Sequence, residues 1–371
     1  MIDFFYEDRE DAFRRATALD TRIVTDAQAV GGESYVKIVS AALRQAYGGL
    51  EMVGTVDRPW MMLKDTPPRN CQTVDVIYSH FAVHLYLNPT LLRYLLEPLF
   101  DYQERGLFAK KYSLHDLGKQ YPQCGGQEGH HEDMEVEQSA NMLIMMSAYV
   151  RATNDTEFAK KHYKIAKQWT QYLVDHGLIT GDALTTDAYL GKLTNSTNLS
   201  VKAIVGIGAM AQLAEVTGNE ADRQLFRRTA EKYVTEWIRL GDDPFNKHIK
   251  MTYNSDNTWF MMYNLYADVL LDTKLVPESI YKQQDQWYKQ VINYYGLQLG
   301  SVTADTRFCW MMFTAAASGD TRLRQTVFDR TAQWLRETPT RQPFSDAANT
   351  ITGESPGWAR NRMITTVCQH N

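Results

Sequence analysis

Three polar pairs interrupt segments that are otherwise apolar. VEQSANM carries Glu137 and Asn141, NLSVKAI carries Asn198 and Lys202, and YNLYADVLL carries Asn264 and Asp268. Each pair is spaced i, i+4, which places both members on one face of a helix. A buried charge is costly unless it is paired or solvated. Three such pairs in segments built for burial therefore suggest a shared polar hollow. Acid–base chemistry is available there, from carboxylates, an ammonium and orienting amides. Asp75 in QTVDVIY and Arg44 in ALRQAYGG are further charges in apolar surroundings. The plainer account is that each group satisfies a neighbour or caps a loop. For Glu137 that account is concrete, because a carboxylate in a first helical turn is stabilised by the helix dipole.

Upstream lie more candidates. KYSLHDLG holds His115 and Asp116, and GHHED holds His130, His131, Glu132 and Asp133. Adjacent histidines do not face one way on any regular element, so a metal pair is not expected and no cofactor is implied. The methionine pairs (Met61–Met62, Met145–Met146, Met261–Met262, Met311–Met312) read as core filler. No Ser–His or Cys–His arrangement is legible locally.

The elements that must position these groups are helices. Periodicity predicts them over Asp8–Val30, Ser34–Met52, Thr90–Arg105, Glu135–Thr153, Thr156–His176, Asn198–Thr217, Glu220–Leu240, Thr258–Leu271, Pro277–Tyr294, Asp305–Ser318 and Thr321–Glu337, with one more near the C-terminus. Thr156–His176 and Glu220–Leu240 are amphipathic. Glu135–Val150, Asn198–Leu213 and Thr258–Leu271 are apolar nearly all round, hence buried. An alternation of outer and inner helices joined by short turns such as TGN and SGD fits an all-α (α/α)6 toroid of six hairpins. The competing architecture, an α-solenoid, lacks a fixed-period repeat. No linker, low-complexity tract or strand alternation appears, so residues 1–371 read as a single domain.

Composition excludes several classes. The net charge is −5 with no basic tract, so nucleic acid has no electrostatic footprint. No apolar run suggests a membrane span, and the acidic start MIDFFYEDREDAF is not a signal peptide. The four cysteines (Cys71, Cys124, Cys309, Cys368) include no CxxC pair, and their pairing is open. Cys309, just before the apolar WMMF run, is expected to be a buried free thiol. Sequons at Asn154, Asn195 and Asn198 lend slight support to secretion.

A set of ordered motifs then carries a resemblance. TVDVIYSHFAVHLYLNPTLLRYLLEPLFDYQERG, KYSLHDLGKQYP, MEVEQSANMLIM, NSTNLSVKAIVGIGAM, YNLYADVLL and PFSDAANTITG resemble, in that order, the glutaminase A family of fungi and some bacteria. The resemblance implies a six-hairpin, glycosidase-like toroid. It also implies that an N-terminal β-rich region of the family is absent here, and that the setting is extracellular. The matching polar positions are Arg44, Gln45, Lys64, Asp75, Asp116, Glu137, Asn141, Asn198, Lys202, Asn264 and Asp268. This chain departs from the family pattern where an acid is usual: at Gln138, Gly300, Cys309 and Asn349, with Val302 where an Arg is usual.

The resemblance implies an amidohydrolase that converts L-glutamine to L-glutamate and ammonia. Such chemistry needs a base, donors for the carbonyl oxygen, and partners for the α-carboxylate and α-amine. Glu137 and Asp116 are the expected acid–base groups. Arg44 and Lys202 are expected to serve as carboxylate or oxyanion partners, and Asp75, Asn141, Asn198, Asn264 and Asp268 to bind substrate. The expected partner is therefore a small molecule, glutamine or a sugar, and the oligomeric state is open. Two other classes stand beside this one. A six-hairpin glycoside hydrolase would need only two facing carboxylates, and a 12 % aromatic content suits sugar stacking. A non-catalytic relative would explain the missing acids.

Overall fold

A computed structural model describes residues 2–65, 70–126, 133–340 and 343–356. Its elements are helices α1 (Ile2–Gly48), α2 (Val74–Leu87), α3 (Pro89–Glu104), α4 (Glu135–Thr153), α5 (Thr156–His176), α6 (Thr197–Val216), α7 (Glu220–Gly241), α8 (Leu265–Leu271), α9 (Glu278–Val291), α10 (Phe308–Ala317) and α11 (Thr321–Glu337). The strands are β1 (Leu50–Gly54), β2 (Pro59–Leu63), β3 (Asp242–Asp243), β4 (His248–Ile249), β5 (Asp305–Arg307) and β6 (Ala347–Asn349), and they form three antiparallel two-stranded ladders. His130, His131, Glu132, Cys368 and the helix expected near the C-terminus lie outside the described residues.

The apolar helices form the inner ring. Helix α2 packs on α4, α4 on α6, α6 on α8, α8 on α10 and α10 on α2. Each is paired with a following outer helix through a short turn. The all-α toroid expected from the sequence is the fold observed. The outer helices α5, α7, α9 and α11 bury one stripe and keep Lys, Arg and Glu on the other. Two of these helices, α5 and α11, start on side-chain caps. Asp155 accepts from the Phe158 amide at 3.0 Å, and Asp320 from those of Arg322 and Leu323 at 3.0 and 2.9 Å. Between the layers sit fully buried indoles. Trp237 donates to the Thr197 carbonyl at 2.8 Å and Trp334 to that of Gly353 at 2.7 Å.

Several boundaries differ from expectation. Helix α1 is broken at Gly31–Gly32. Gly32 has φ 62° and ψ −159°, a conformation open to glycine, and a Cβ on Gly31 would lie 2.4 Å from the Phe328 ring. The helix expected through Met52 stops at Gly48, because Leu50–Gly54 pairs with Pro59–Leu63 instead. Helix α2 went unpredicted. It is buried on all sides, so the aromatic and β-branched run VDVIYSHF shows no helical stripe. The helix expected over Thr258–Leu271 is regular only from Leu265, and the one expected from Asp305 begins at Phe308 after strand β5. Helix α6 has 20 residues, 18 of them with a mean hydropathy of 1.4, long and apolar enough to cross a bilayer, contrary to the sequence reading. It lies inside the ring, packed against α4 and α7.

Candidate functional site

The ring brings the starts of its inner helices together, and the polar groups sit there. Lys202, on the second turn of α6, forms an ion pair with Glu137 in the first turn of α4. Both side chains are sealed, at 0 % and 1 % exposure. The Lys202 ammonium also stands 4.1 Å from the centre of the Tyr78 ring, 5.9 Å from Trp310 and 6.0 Å from Tyr263. Aromatic faces on three sides and one carboxylate solvate it in place of water. Tyr263 and Trp310 stack on each other at 4.4 Å, nearly parallel.

Two further carboxylates act on this pair. Asp187 accepts from the Tyr263 hydroxyl at 2.7 Å and faces Arg307 Nε at 3.5 Å. Asp75, at the start of α2, accepts from Thr186 Oγ1 at 2.8 Å and Gln138 Nε2 at 3.2 Å. Burial raises the Glu137 carboxyl above the usual range. Lys202 opposes that rise, and the charges of Asp75 and Asp187 reinforce it. Burial likewise raises Asp187, with Arg307 and Lys202 opposing. Burial alone would depress the Arg307 guanidinium, but Asp346 at 3.2 Å and Asp187 more than reverse it. The arrangement is thus acid-rich around two cations, with two carboxyls, Glu137 and Asp187, raised above their ordinary range by burial.

The remaining candidates divide. Asn141 donates to Gln138 Oε1 at 3.0 Å, and its own Oδ1 is buried without a partner. Asn264 Nδ2 donates to the Asn198 carbonyl at 2.9 Å, which ties the start of α8 to that of α6. Asn264 caps α8 and does not sit within it. Asp116 is buried beside Asp75 through His115, and is described further below. Asp268 is elsewhere. Its carboxylate accepts from the hydroxyls of Thr273 and Tyr281 and from the amides of Leu275 and Val276, closing the turn from α8 to α9. Its role as a substrate ligand is therefore withdrawn. Arg44 is withdrawn too. It lies on the exposed face of α1, because Ala42 and Ala46 take the buried side of that amphipathic helix. Gln45 donates to the Phe344 carbonyl, and Lys64 pairs with Glu51 near the surface.

Asp187, Tyr78, Tyr263, Arg307 and Asp346 escaped the sequence reading. Asp187 lies in an irregular loop just before the single turn Ala188–Leu190, where periodicity carries no signal. Arg307 and Asp346 meet only because β5 pairs with β6. At Gly300 and Asn349, where the resemblance implied acids, the structure is locally complete. A Cβ on Gly300 would lie 2.6 Å from the Trp259 carbonyl. Asn349 accepts from the Ile351 and Thr352 amides and donates to Asp305. Cys309 is the buried free thiol expected, pushed up to about 12 by burial, which makes it a poor nucleophile. Among the described residues no cluster of three or more His, Cys, Asp and Glu is arranged to hold a metal.

Comparison with known proteins agrees with this architecture. The glutaminase A six helical-hairpin domain matches residues 32–367. Glutaminase A of Aspergillus oryzae is 35 % identical over 359 residues, which is 96 % of this chain and 52 % of that protein. A probable glutaminase of Arthroderma benhamiae is 30 % identical, across 94 % of this chain and 50 % of that protein. The chain thus spans about half the length of the curated relatives it matches. With its fold, its ring of polar helix starts and these relatives, the chain belongs to the glutaminase A six helical-hairpin family.

Proposed function

We propose that this domain is a glutaminase-like amidohydrolase that converts L-glutamine and water to L-glutamate and ammonia. The observation that carries the reading is the sealed Glu137–Lys202 pair with Asp187 and Asp75 acting on it. Hydrolysis of a side-chain amide needs one group to take a proton from water and one to give a proton to the departing nitrogen. Two carboxyls raised by burial, Glu137 and Asp187, suit those two duties. The Lys202 ammonium supplies positive charge for the developing oxyanion, a contribution worth about 10²- to 10³-fold in rate when one donor is removed. Arg307, already shared between Asp187 and Asp346, can turn to a substrate α-carboxylate. Asn141 Oδ1 and Asn264 Oδ1, both buried and unpartnered, are acceptors for an α-ammonium.

We also propose an extracellular setting for the domain. The disulfide between Cys71 and Cys124 suits an oxidising compartment. Of the sequons, Asn154 is exposed and open to glycan, whereas Asn198 is buried.

The test is release of ammonia by the purified chain from glutamine, with asparagine and aryl glycosides in parallel. Ammonia from glutamine, lost in Glu137→Gln and Asp187→Asn, is expected. Sugar release without ammonia would replace this reading with a glycoside hydrolase, and no turnover of any of them would favour a non-catalytic relative.

A further inference from the structure

One imidazole beside the site has no part in the chemistry above. His115 is buried between two carboxylates from different segments. Its Nδ1 lies 2.7 Å from Asp116 Oδ2 and its Nε2 lies 3.5 Å from Asp75 Oδ1. Asp116 is itself anchored, accepting from the Gly118 amide at 2.6 Å and from Asn70 Nδ2 at 3.1 Å. The backbone around the histidine is equally determined. The Val74 amide donates to the His115 carbonyl at 2.9 Å. The Leu117 amide donates to the Cys71 carbonyl, and the Cys71 amide to the Gly118 carbonyl, both at 2.8 Å. The Cys71–Cys124 disulfide closes the same loop. The chain thus fixes Asp116, Asp116 fixes the ring, and the ring presents Nε2 to Asp75.

We propose that His115 is a positioning residue, carrying the anchored orientation of Asp116 across to Asp75 and so setting how Asp75 stands toward the Glu137–Lys202 pair. The idea rests on the hydrolytic reading above. A histidine suits the task because its two ring nitrogens face opposite ways and, with both protonated, each donates to one of the two carboxylates. Asp116 then acts through His115 and does not touch substrate.

Two substitutions separate the halves of the bridge. His115→Asn keeps an amide near the Nδ1 position, facing Asp116. His115→Gln extends an amide toward the Nε2 position, facing Asp75. The expected result is a loss of kcat on glutamine of about 10- to 100-fold in His115→Asn. His115→Gln, which reaches Asp75 but leaves Asp116, should lose kcat as well, and KM should stay within about twofold in both. A kcat within about twofold of the parent in either variant, or a change in KM alone, would overturn the proposal. A second readout needs no turnover. In protein labelled with 15N-histidine, the exchange-protected His115 Nδ1–H resonance should move in both Asp116→Asn and Asp75→Asn. A parent that releases no ammonia would overturn the hydrolytic reading. A His115 resonance indifferent to Asp75→Asn would overturn the bridge, whatever the activity.

Discussion

Lys202 and Glu137 come from positions 65 residues apart and meet where neither touches solvent. Among the described residues the ammonium pairs with Glu137 and is faced by the rings of Tyr78, Trp310 and Tyr263, with the charge of Asp187 also acting on it. A pair sealed in this way contributes little net stability while intact, but breaking one side leaves an uncompensated charge in the ring. Lys202→Met should therefore cost about 3–5 kcal/mol in urea unfolding at pH 7. The double variant Lys202→Met with Glu137→Leu should regain most of that loss, and neither should release ammonia from glutamine. A single variant as stable as the parent would mean that water reaches the pair.

Asp268 makes the contrasting case. It has the same look in sequence as Glu137, a carboxylate four residues from an asparagine in an apolar helix. Its four hydrogen bonds all close the turn to α9. Asp268→Asn should destabilise the domain by about 1–3 kcal/mol, because amides that faced a carboxylate lose an acceptor. The kcat on glutamine should stay within about twofold of the parent. A large fall in kcat with unchanged stability would return Asp268 to the site.

These two residues show what was legible in the sequence. The spacing of Glu137 with Asn141 and Asn198 with Lys202 marks polar faces on buried helices, and the structure brings Glu137 and Lys202 into contact. The same spacing also marks Asp268, because an i, i+4 pattern reports a shared face and not which neighbour the face meets. Asp187 and Asp346 lie in loops or short strands, where position depends on pairings distant in sequence. Helix α2 was hidden for the opposite reason, since burial on every side erases the periodicity that reveals outer helices such as α11. Arg44 misled because apolar neighbours in sequence were not its neighbours in space.

Cys309 offers a test of the site's seal. The thiol is 4 % exposed and pushed up to about 12, so it stays protonated at neutral pH. An aromatic disulfide reagent should label it in the folded protein at least ~100-fold more slowly than in urea, since the thiolate is the reacting form. The disulfide leaves Cys71 and Cys124 silent in that assay, and Cys309→Ser supplies the background from Cys368. Rapid Cys309 labelling in the native state would mean that reagent, and hence substrate-sized molecules, reach the thiol beside Arg307 in the folded chain.

The disulfide has its own stability signature. It links residues 53 apart, and the loop-entropy relation gives a stabilisation of about 4 kcal/mol for a loop of that size. The double variant Cys71→Ser with Cys124→Ser should lose an amount of that order in urea unfolding, and the oxidised parent should gain the same over its reduced form. A loss below about 1 kcal/mol would show that the backbone bonds from Cys71 to Leu117 and Gly118 hold the loop unaided.

A buried histidine pair should govern the acid side of the stability curve. His80 Nδ1 lies 3.0 Å from His84 Nε2, and His84 Nδ1 lies 3.2 Å from the Tyr47 hydroxyl. Burial lowers His80 to about 3 and drives His84 well below its ordinary value, with His80 adding to the shift. Both rings are then neutral in the folded chain, while the unfolded chain protonates them near 6.5. Their contribution is therefore present above pH 6.5 and is lost as pH falls toward 3, at up to about 1.4 kcal/mol per pH unit for each ring. Glu137 and Asp187 have the opposite sign, since their raised values favour the folded chain in acid and lose that advantage as pH rises. His80→Gln keeps a hydrogen-bonding side chain and removes one titration. Its unfolding free energy, measured from pH 7 to pH 4, should fall less steeply than the parent's by about that slope per unit. Parallel curves for parent and variant would mean that His80 is protonated alike in the folded and unfolded chain, against its burial between α2 neighbours.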